Sequence, residues 1–395
     1  MTVQVTCMLL HHASKHLNAH FRNNPRRLLS MSLTSPEAFS IEKHVAIAAV
    51  RRACLVTCTV FNQLVRDKTD TLKKEDESPV TVGDYAAQAV INTVLRNAFP
   101  EDPIVGEEGA DALRQESNAR LRERMVSLAT NALQEDLIDG EKAQWGLGSH
   151  HEHSSEALLK AIDEGSDTGG SNKRMWTVDP IDGTKGFLRG GQYAVCLSLI
   201  VNSQVVLGVI GCPNLQIYPA NPDEGKGCIF VAVRGQGAFQ ITLSGTGAIK
   251  LPYFPPEKSY VLQSEEPKHT NMPLIKRVAD ELHLTEWGMD SQAKYCCLAR
   301  GEGAVYLRMP APTIGGKQPY EERIWDHAPG SILVEEAGGK ITDSEGAPLR
   351  FGLGRGMGDN RGFVATVDEE LHGRVVSAIK QAQSTEDAKK TKATP

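Results

Sequence analysis

The sequence lacks an excess of basic residues, since 43 Lys and Arg stand against 49 Asp and Glu and give a net charge of −6. A chain without a broad basic field does not attract nucleic acid or an anionic membrane surface, so neither is expected as a partner. The sequence also lacks an uninterrupted run of about 18 apolar residues, and no membrane-spanning helix is expected. With 40% hydrophobic and 23% charged residues, the composition is that of an ordinary globular protein.

Metal-binding patterns of cysteine and histidine are also missing. The eight cysteines are scattered, mostly inside apolar runs, which fits reduced, buried thiols rather than a disulfide framework. Cys54 and Cys58 share a helix face, but no second Cys or His pair follows at the spacing of a zinc site. The run His150-His151-Glu152-His153 is flanked by Gly and Ser, and contiguous ligands rarely converge on one ion, so a solvated loop is expected there.

Acidic residues are absent from the first 36 positions, which contain Arg, Ser and four histidines. This composition is typical of a mitochondrial presequence, but a dispensable extension fits it equally well. We therefore expect a cytoplasmic protein, or a mitochondrial one if residues 1–36 direct import. Four parts are predicted along the chain: an extension 1–40, an α+β domain 41–257, an α/β domain 258–385 and a polar tail 386–395.

Apolar periodicity predicts the secondary structure in both domains. In the first, helices are predicted over 41–64, 85–99, 113–135 and 154–164, with a strand at 104–108 and a loop at 66–77. Strand patterns then follow one another at 193–201, 205–212 and 227–241, which predicts an antiparallel meander. In the second domain strands at 260–263, 303–308 and 362–366 alternate with helices at 274–283 and 327–337. That alternation predicts an α/β layer.

Residues 176–187 carry the clearest chemical signal. Asp179 and Asp182 lie three positions apart on a predicted turn formed by Pro180 and Gly183. Two carboxylates this close repel each other unless a cation lies between them, and Mg²⁺ suits that arrangement. Thr184 follows where a helix could begin, and the N–H groups at a helix start bind phosphate. Asp-Pro and Asp-Gly are also ordinary turn dipeptides, so a structural turn remains an alternative.

Three further acidic residues follow apolar segments, namely Asp84, Glu107 and Asp326. Carboxylates at strand ends or helix starts can assemble a metal site from distant parts of a chain. Asp84 and Asp326 could instead cap the helices predicted beside them. Together with the aspartate pair, they predict metal-assisted phosphoryl transfer.

This combination resembles the inositol monophosphatase superfamily, whose members are lithium-sensitive, magnesium-dependent phosphatases. The resemblance rests on three motifs: Gly106-Glu107-Glu108, Asp179 to Thr184, and Trp325-Asp326. The segments 78–87, 290–296 and 305–308 resemble the 3′(2′),5′-bisphosphate nucleotidase branch. The resemblance covers residues 41–380. It implies a sugar-phosphatase-like α/β fold of five layers, αβαβα, with an active site at the domain junction of a monomer.

The resemblance also implies roles for individual residues, with two to three Mg²⁺ per site. The residues that resemble metal ligands are Glu107, Asp179, the Ile181 carbonyl, Asp182 and Asp326. Asp84 and Thr184 resemble the pair that orients and deprotonates the attacking water. Gly183 and Thr184 resemble the groups that hold the phosphate oxygens, and Asp326 also borders the substrate.

Substrate specificity is expected from the second domain. Ser291, Lys294 and Arg308 resemble contacts to a nucleotide, the two cations to its 5′-phosphate, and His269 resembles a histidine that packs near adenine. The alternative is that Lys294 and Arg308 are surface charges and that His269 is a loop residue, in line with the usual exposure of such residues.

The expected substrate is 3′-phosphoadenosine 5′-phosphate, hydrolysed to AMP, with the 5′-phosphosulfate analogue as a second substrate. Roles in sulfur assimilation and salt tolerance are implied by the same resemblance. Two alternatives remain at this stage. One is a phosphatase for inositol phosphates, and the other is a metal- and nucleotide-binding regulator without turnover.

Overall fold

The computed structural model describes residues 38–64, 71–73, 79–252, 260–266, 270–310, 321–358 and 360–393. The predicted extension up to residue 36, the predicted domain boundary at 257 and His269 lie outside these ranges. The helices are α1 (Ser40–Leu64), α2 (Val82–Ala98), α3 (Asp111–Arg114), α4 (Ala119–Gln134), α5 (Ser155–Asp163), α6 (Thr184–Arg189), α7 (Met272–Leu282), α8 (Ala293–Arg300), α9 (Ala328–Glu336) and α10 (Glu369–Ala393).

Two large sheets occupy consecutive parts of the chain. The first has seven strands in sequence order: β3 (Ile104–Gly106), β4 (Arg174–Asp182), β5 (Ala194–Val201), β6 (Gln204–Gln216), β7 (Lys226–Val233), β8 (Gly237–Thr242) and β9 (Ile249–Lys250). Only the pairing of β3 with β4 is parallel among these neighbours, so β4 to β9 form the predicted antiparallel meander.

The second sheet has five strands in the order β11-β10-β12-β14-β13. Their bounds are β10 (Tyr260–Gln263), β11 (Thr285–Gly288), β12 (Val305–Arg308), β13 (Lys340–Thr342) and β14 (Phe363–Thr366). Its parallel pairs, β10 with β11 and β10 with β12, lie beside antiparallel ones. The stretch 66–77, predicted as a loop, contains β1 (Thr71–Lys73), which pairs with β2 (Pro79–Thr81).

Both faces of the seven-stranded sheet are buried. Along β5, Val195 and Leu197 belong to the core that contains α1 and α2. The alternating residues Cys196 and Ile200 belong to the core that contains α8 and α9. A strand covered on both faces has no polar side, which explains the continuous apolar runs of β5 and β7. We call α8 and α9 the inner helix layer.

The five-stranded sheet divides its side chains in the same way. Leu262 and Tyr306 belong to the core of the inner helix layer. Val261 and Val305 belong to a third core, which contains α7 and α10. The order is therefore helix, sheet, helix, sheet, helix, and the predicted five-layer αβαβα class is confirmed.

Helix α1 is long and apolar enough, by length and composition alone, to cross a membrane. In this fold 67% of its apolar window is buried inside the protein. Its Arg51 and Arg52 side chains both form ion pairs with Glu141, with the Arg51 pair at 2.5 Å. The helix is therefore a core element of the first layer, consistent with its burial against α2 and the sheet.

Candidate active site

Strand β4 contains an irregularity that sets the direction of two carboxylates. Asp179 pairs with Cys196 and Asp182 pairs with Ala194, so β4 takes three steps where β5 takes two. Residues three apart in a regular strand point to opposite faces, but the extra residue of a bulge restores a common face. Cys196 and Ala194 face the inner helix layer, and so do the aspartates paired with them. The turn predicted at Pro180 is therefore a bulge within the strand.

Asp326 approaches these two carboxylates from another layer. It closes a 3₁₀ turn, Ile324–Asp326, immediately before α9. Carboxylate oxygens of Asp179, Asp182 and Asp326 all lie within 4.8 Å of one another. The Oδ1 atom of Asp179 is buried and has no hydrogen-bond partner within the described part of the chain. An orphaned carboxylate oxygen beside two further carboxylates fits a hard divalent cation.

Burial raises the pKa of all three carboxyl groups. For Asp179, burial and then the charge of Glu107 raise the pKa well above its ordinary value. Burial raises the pKa of Asp182 to about 6. For Asp326, burial and then the charge of Glu322 raise the pKa well above its ordinary value. A cation bound among these three carboxyl groups would stabilise their ionised form, so the raised pKa values favour a cation site here.

Glu107 reaches the cluster from the neighbouring strand. Strand β3 runs parallel to β4 with Gly106 opposite Val178, so Glu107 follows at the level of Asp179. The Glu107 N–H donates to the Val178 carbonyl at 3.2 Å. Its carboxylate is outside the group of three within 4.8 Å, but its charge contributes to the raised pKa of Asp179.

Asp84 lies in the first turn of α2, where it completes a capping box. Its Oδ2 accepts hydrogen bonds from the N–H and the hydroxyl of Thr81, both at 2.7 Å. The capping alternative is therefore realised. A Cβ added at Gly83 would lie 3.1 Å from Ile181 Cδ1, so the start of α2 packs against the β4 bulge. Capping and proximity to the site coexist at this residue.

Gly183 follows the β4 bulge and lies against Ser291, which belongs to the part of the chain with the five-stranded sheet. Its φ is 84°, and a Cβ there would lie 2.9 Å from Ser291 Cβ. Only glycine satisfies both conditions without strain. Thr184 begins α6, as the sequence predicted, and its hydroxyl donates to the Ile181 carbonyl at 3.2 Å.

The two side chains predicted to bind the 5′-phosphate, Lys294 and Arg308, lie near Asp182, and their positive charge limits the rise of its pKa. Lys294 is 3% exposed, and its Nζ donates to two backbone carbonyl oxygens at 2.7 and 2.9 Å. Burial lowers the pKa of Lys294 to about 8, against the attraction of Asp182. Arg308 Nε donates to Glu322 Oε1 at 2.6 Å, and its side chain is 15% exposed. The surface-charge alternative is wrong for both cations.

Two contributors to the site had no role in the sequence interpretation. The Gln292 N–H donates to Asp182 Oδ2 at 2.5 Å, and the Gln292 side chain donates to the Trp325 carbonyl at 2.8 Å. Glu322 binds Arg308. Gln292 lies inside the segment 290–296, so its position in a recognisable segment was the available signal. Glu322 had no comparable signal, because it lies outside any regular element and its partner is on β12, 14 positions earlier in the sequence.

Two further sequence patterns, the histidine run and the cysteines, lie wholly or partly within the described residues. Residues 150–153 have no regular secondary structure and belong to none of the metal-ligand groups in the described ranges. All seven described cysteines are free thiols, and Cys54 and Cys58 form no zinc cluster there. His269 lies outside the described residues, so its predicted place near adenine stays a prediction.

The sequence pattern of the inositol monophosphatase family matches residues 42–384 of this chain. The chain belongs to the inositol monophosphatase family. Among its family relatives is a 3′(2′),5′-bisphosphate nucleotidase of Schizosaccharomyces pombe, 45% identical over 338 residues, or 83% of this chain and 92% of the relative. A protein of the same name from Emericella nidulans is 40% identical over 363 residues, or 87% of this chain and 99% of the relative.

Solved structures show the family fold at lower identity. The extragenic suppressor protein suhB of Bartonella henselae matches with a TM-score of 0.52 and 19% identity, over 85% of this chain and 97% of its own. At this identity the likeness concerns the fold alone. It agrees with the five layers described above.

Proposed function

We propose that this chain is a magnesium-dependent phosphatase that hydrolyses the 3′-phosphate of 3′-phosphoadenosine 5′-phosphate to give AMP and phosphate. One observation carries the proposal: three converging carboxylates lie near two cationic side chains, Lys294 and Arg308, in one site. The carboxylates suit Mg²⁺, which would bind the reacting 3′-phosphate. Lys294 and Arg308 suit the 5′-phosphate, which does not react. Relatives named as bisphosphate nucleotidases, similar over most of the chain, support the same substrate class.

Five groups would hold the two to three Mg²⁺ ions: Glu107, Asp179, the Ile181 carbonyl, Asp182 and Asp326. The orphaned Oδ1 of Asp179 and the raised pKa values of the aspartates support this donor set. Bound Mg²⁺ supplies positive charge that neutralises the dianionic phosphate and makes water more acidic.

Asp84 and Thr184 would prepare the attacking water. The Thr184 hydroxyl donates a hydrogen bond to the Ile181 carbonyl, so its oxygen can still accept a hydrogen bond and orient the water. Asp84 is 1% exposed and fixed by Thr81, which suits a carboxylate that takes a proton without moving. The water oxygen then forms the new bond to phosphorus while the bond to the 3′ oxygen breaks, and the leaving 3′ oxygen takes a proton from solvent to become the hydroxyl of AMP.

Lys294 and Arg308 would recognise the 5′-phosphate, with Ser291 beside them. A phosphate near Lys294 opposes the effect of burial and keeps the ammonium charged. Gly183 would let the phosphate-binding turn approach Ser291 closely. A monomer in the cytoplasm and a second activity on the 5′-phosphosulfate analogue belong to the same proposal.

The test is phosphate release from three compounds: 3′-phosphoadenosine 5′-phosphate, adenosine 3′-monophosphate and inositol 1,4-bisphosphate. Each is assayed with Mg²⁺, with EDTA, and with Mg²⁺ plus millimolar Li⁺. We expect AMP from the first compound, only with Mg²⁺ and suppressed by Li⁺, and a much higher KM for adenosine 3′-monophosphate. Faster hydrolysis of the inositol compound would overturn the substrate assignment. Nucleotide binding without any release would overturn the catalytic one.

A further inference from the structure

The carboxylates of the candidate site come from separate stretches of chain. Glu107 directly follows β3 and Asp179 lies in β4, so strand pairing sets their spacing. Asp326 lies in a 3₁₀ turn ahead of α9, outside both sheets. Strand pairing therefore does not fix Asp326 relative to Glu107.

The side chain of Arg355 lies between these two stretches. Its Nη2 donates to the carbonyl of Gly106, the residue before Glu107, at 2.5 Å. Its guanidinium carbon stands 4.8 Å from the ring centroid of Trp325, the residue before Asp326. A single planar group thus contacts the immediate neighbours of two acidic residues from different layers.

Arg355 is itself fixed at both ends. Its backbone is tied to the segment before α9, because Arg323 and Gly356 form an isolated β-bridge. Its guanidinium also donates to the carbonyls of Gly165 and Asp167, at 3.2 and 3.1 Å. The carbonyl contacts match the donor geometry of guanidinium, which offers five N–H groups in a rigid plane.

Glu107 has a second support within its own layer. The Gln88 side chain of α2 accepts from the Glu108 N–H at 2.9 Å and donates to the Glu108 carbonyl at 2.7 Å. Gln88 therefore fixes one flank of Glu107 against α2, and Arg355 fixes the other flank against Trp325. Of these two supports, Arg355 is the one that reaches the Asp326 stretch.

We propose that Arg355 is a positioning residue that sets the separation of Glu107 and Asp326 and thereby the affinity for the divalent cation. The inference rests on the proposed function, because it takes these carboxylates as cation ligands. Replacing side chains that orient metal ligands without touching the metal costs about 10–100-fold in affinity. Lysine keeps the charge of arginine but loses the planar fork that binds carbonyl oxygens and stacks on an aromatic ring.

The experiment measures Mn²⁺ binding to the full chain by electron paramagnetic resonance of the free ion, a readout independent of turnover. In Arg355→Lys we expect the dissociation constant to rise about tenfold or more. Arg234→Lys is the matched control, because Arg234 is also part-buried and donates to a backbone carbonyl, that of Val205, at 2.9 and 3.2 Å. Arg234 lies in the turn between β7 and β8, and its variant should bind Mn²⁺ as the wild type does.

Steady-state kinetics separate positioning from a general structural role. Arg355→Lys should need more Mg²⁺ for half-activation, yet keep kcat and the nucleotide KM within about twofold at saturating Mg²⁺. An unchanged Mn²⁺ dissociation constant in Arg355→Lys overturns the inference, as does an equal loss in Arg234→Lys. Arg355→Gln is the second variant if the first does not fold, with the same expected rise and the same overturning result. A wild-type protein that binds no Mn²⁺ overturns the proposed function as well, which distinguishes the two failures.

Discussion

The acidic and the basic parts of the candidate site satisfy their charges in different ways. Burial and neighbouring acids raise the pKa of Asp179, and burial raises the pKa of Asp182 despite the attraction of Lys294 and Arg308. Arg308 already has Glu322 as an ion-pair partner, and Lys294 already donates to two carbonyl oxygens. A cation therefore relieves repulsion on the acidic part, whereas an anion on the basic part must compete with existing partners. Affinity for metal and selectivity for substrate arise from opposite electrostatic situations.

Removing the central acid should have the largest effect. Asp179→Asn eliminates the carboxylate whose pKa is raised by the charges of Glu107, Asp182 and Asp326. Turnover should fall by more than the roughly 100-fold typical of losing an outer partner of a metal ligand. Phosphate release with Mg²⁺ measures the loss, and circular dichroism checks that the variant folds. Retention of a tenth of the activity would show that the acidic part works without this residue.

Neutralising the basic part should act on binding. Lys294→Met should raise KM for 3′-phosphoadenosine 5′-phosphate about 10–100-fold, the range of one charge-assisted hydrogen bond, with kcat nearly unchanged. Lys276→Met is the control, because Lys276 is an exposed α7 residue whose partners are Asp280 and Glu286. A fall in kcat at constant KM would assign Lys294 to the reacting phosphate instead.

The acidic part also predicts how stability depends on pH. The pKa of Asp182 rises from 3.8 to about 6 on folding. The folded protein therefore holds more protons than the unfolded chain in this window, and this contribution to stability is complete below 3.8 and lost as the pH rises through 6. Mg²⁺ binds the deprotonated carboxylates, so its stabilising effect should grow over the same window. Urea unfolding at a series of pH values, in EDTA and in Mg²⁺, measures the free energy of unfolding under both conditions. Parallel pH profiles of that free energy would contradict the prediction.

The smallest expected effect concerns the packing of α9 against α8, the helix that contains Lys294. A Cβ at Gly330 of α9 would lie 2.0 Å from Tyr295 Cδ2 of α8, whereas one at Gly373 of α10 would meet nothing within 4 Å. Gly330→Ala should lower the free energy of unfolding by about 1–3 kcal/mol through overpacking. Gly373→Ala should raise it by up to about 1 kcal/mol, because alanine favours the helix. Equal urea midpoints for the two variants would show that the inner helix layer tolerates displacement.

Helices with one side facing water were predictable from their periodicity, and strands covered on both faces were predictable from their continuous apolar runs. Helix α7 showed clear helical periodicity, the meander strands showed apolar runs, and each lies within a few residues of its prediction. Helix α8 was missed because all its residues are buried, Lys294 and Arg300 included, so it has no polar face to create a period. The C-terminal helix α10 was missed although Leu371, Val375 and Ile379 repeat at helical spacing. Residues 386–393, predicted as a polar tail, continue that helix.

The candidate site was predictable in its residue types but not in its connections. Acidic residues at the ends of apolar segments indicated that Asp179, Asp182 and Asp326 would meet, and the structure brings them together. The β4 bulge and the contacts of Arg355 could not be predicted, because each depends on a partner strand or on residues far away in the sequence. Periodicity describes one segment at a time and contains no information on such pairs.

The double covering of the seven-stranded sheet has a consequence for how the protein is made. Helices α1 and α2 are synthesised before the sheet, but α8 and α9, which cover its other face, follow it in the chain. During translation the face that bears Ile210 and Phe230 stays uncovered until the inner helix layer leaves the ribosome. An apolar sheet face exposed at that stage is prone to aggregate, so aggregation of the nascent chain is expected mainly before α9 has emerged.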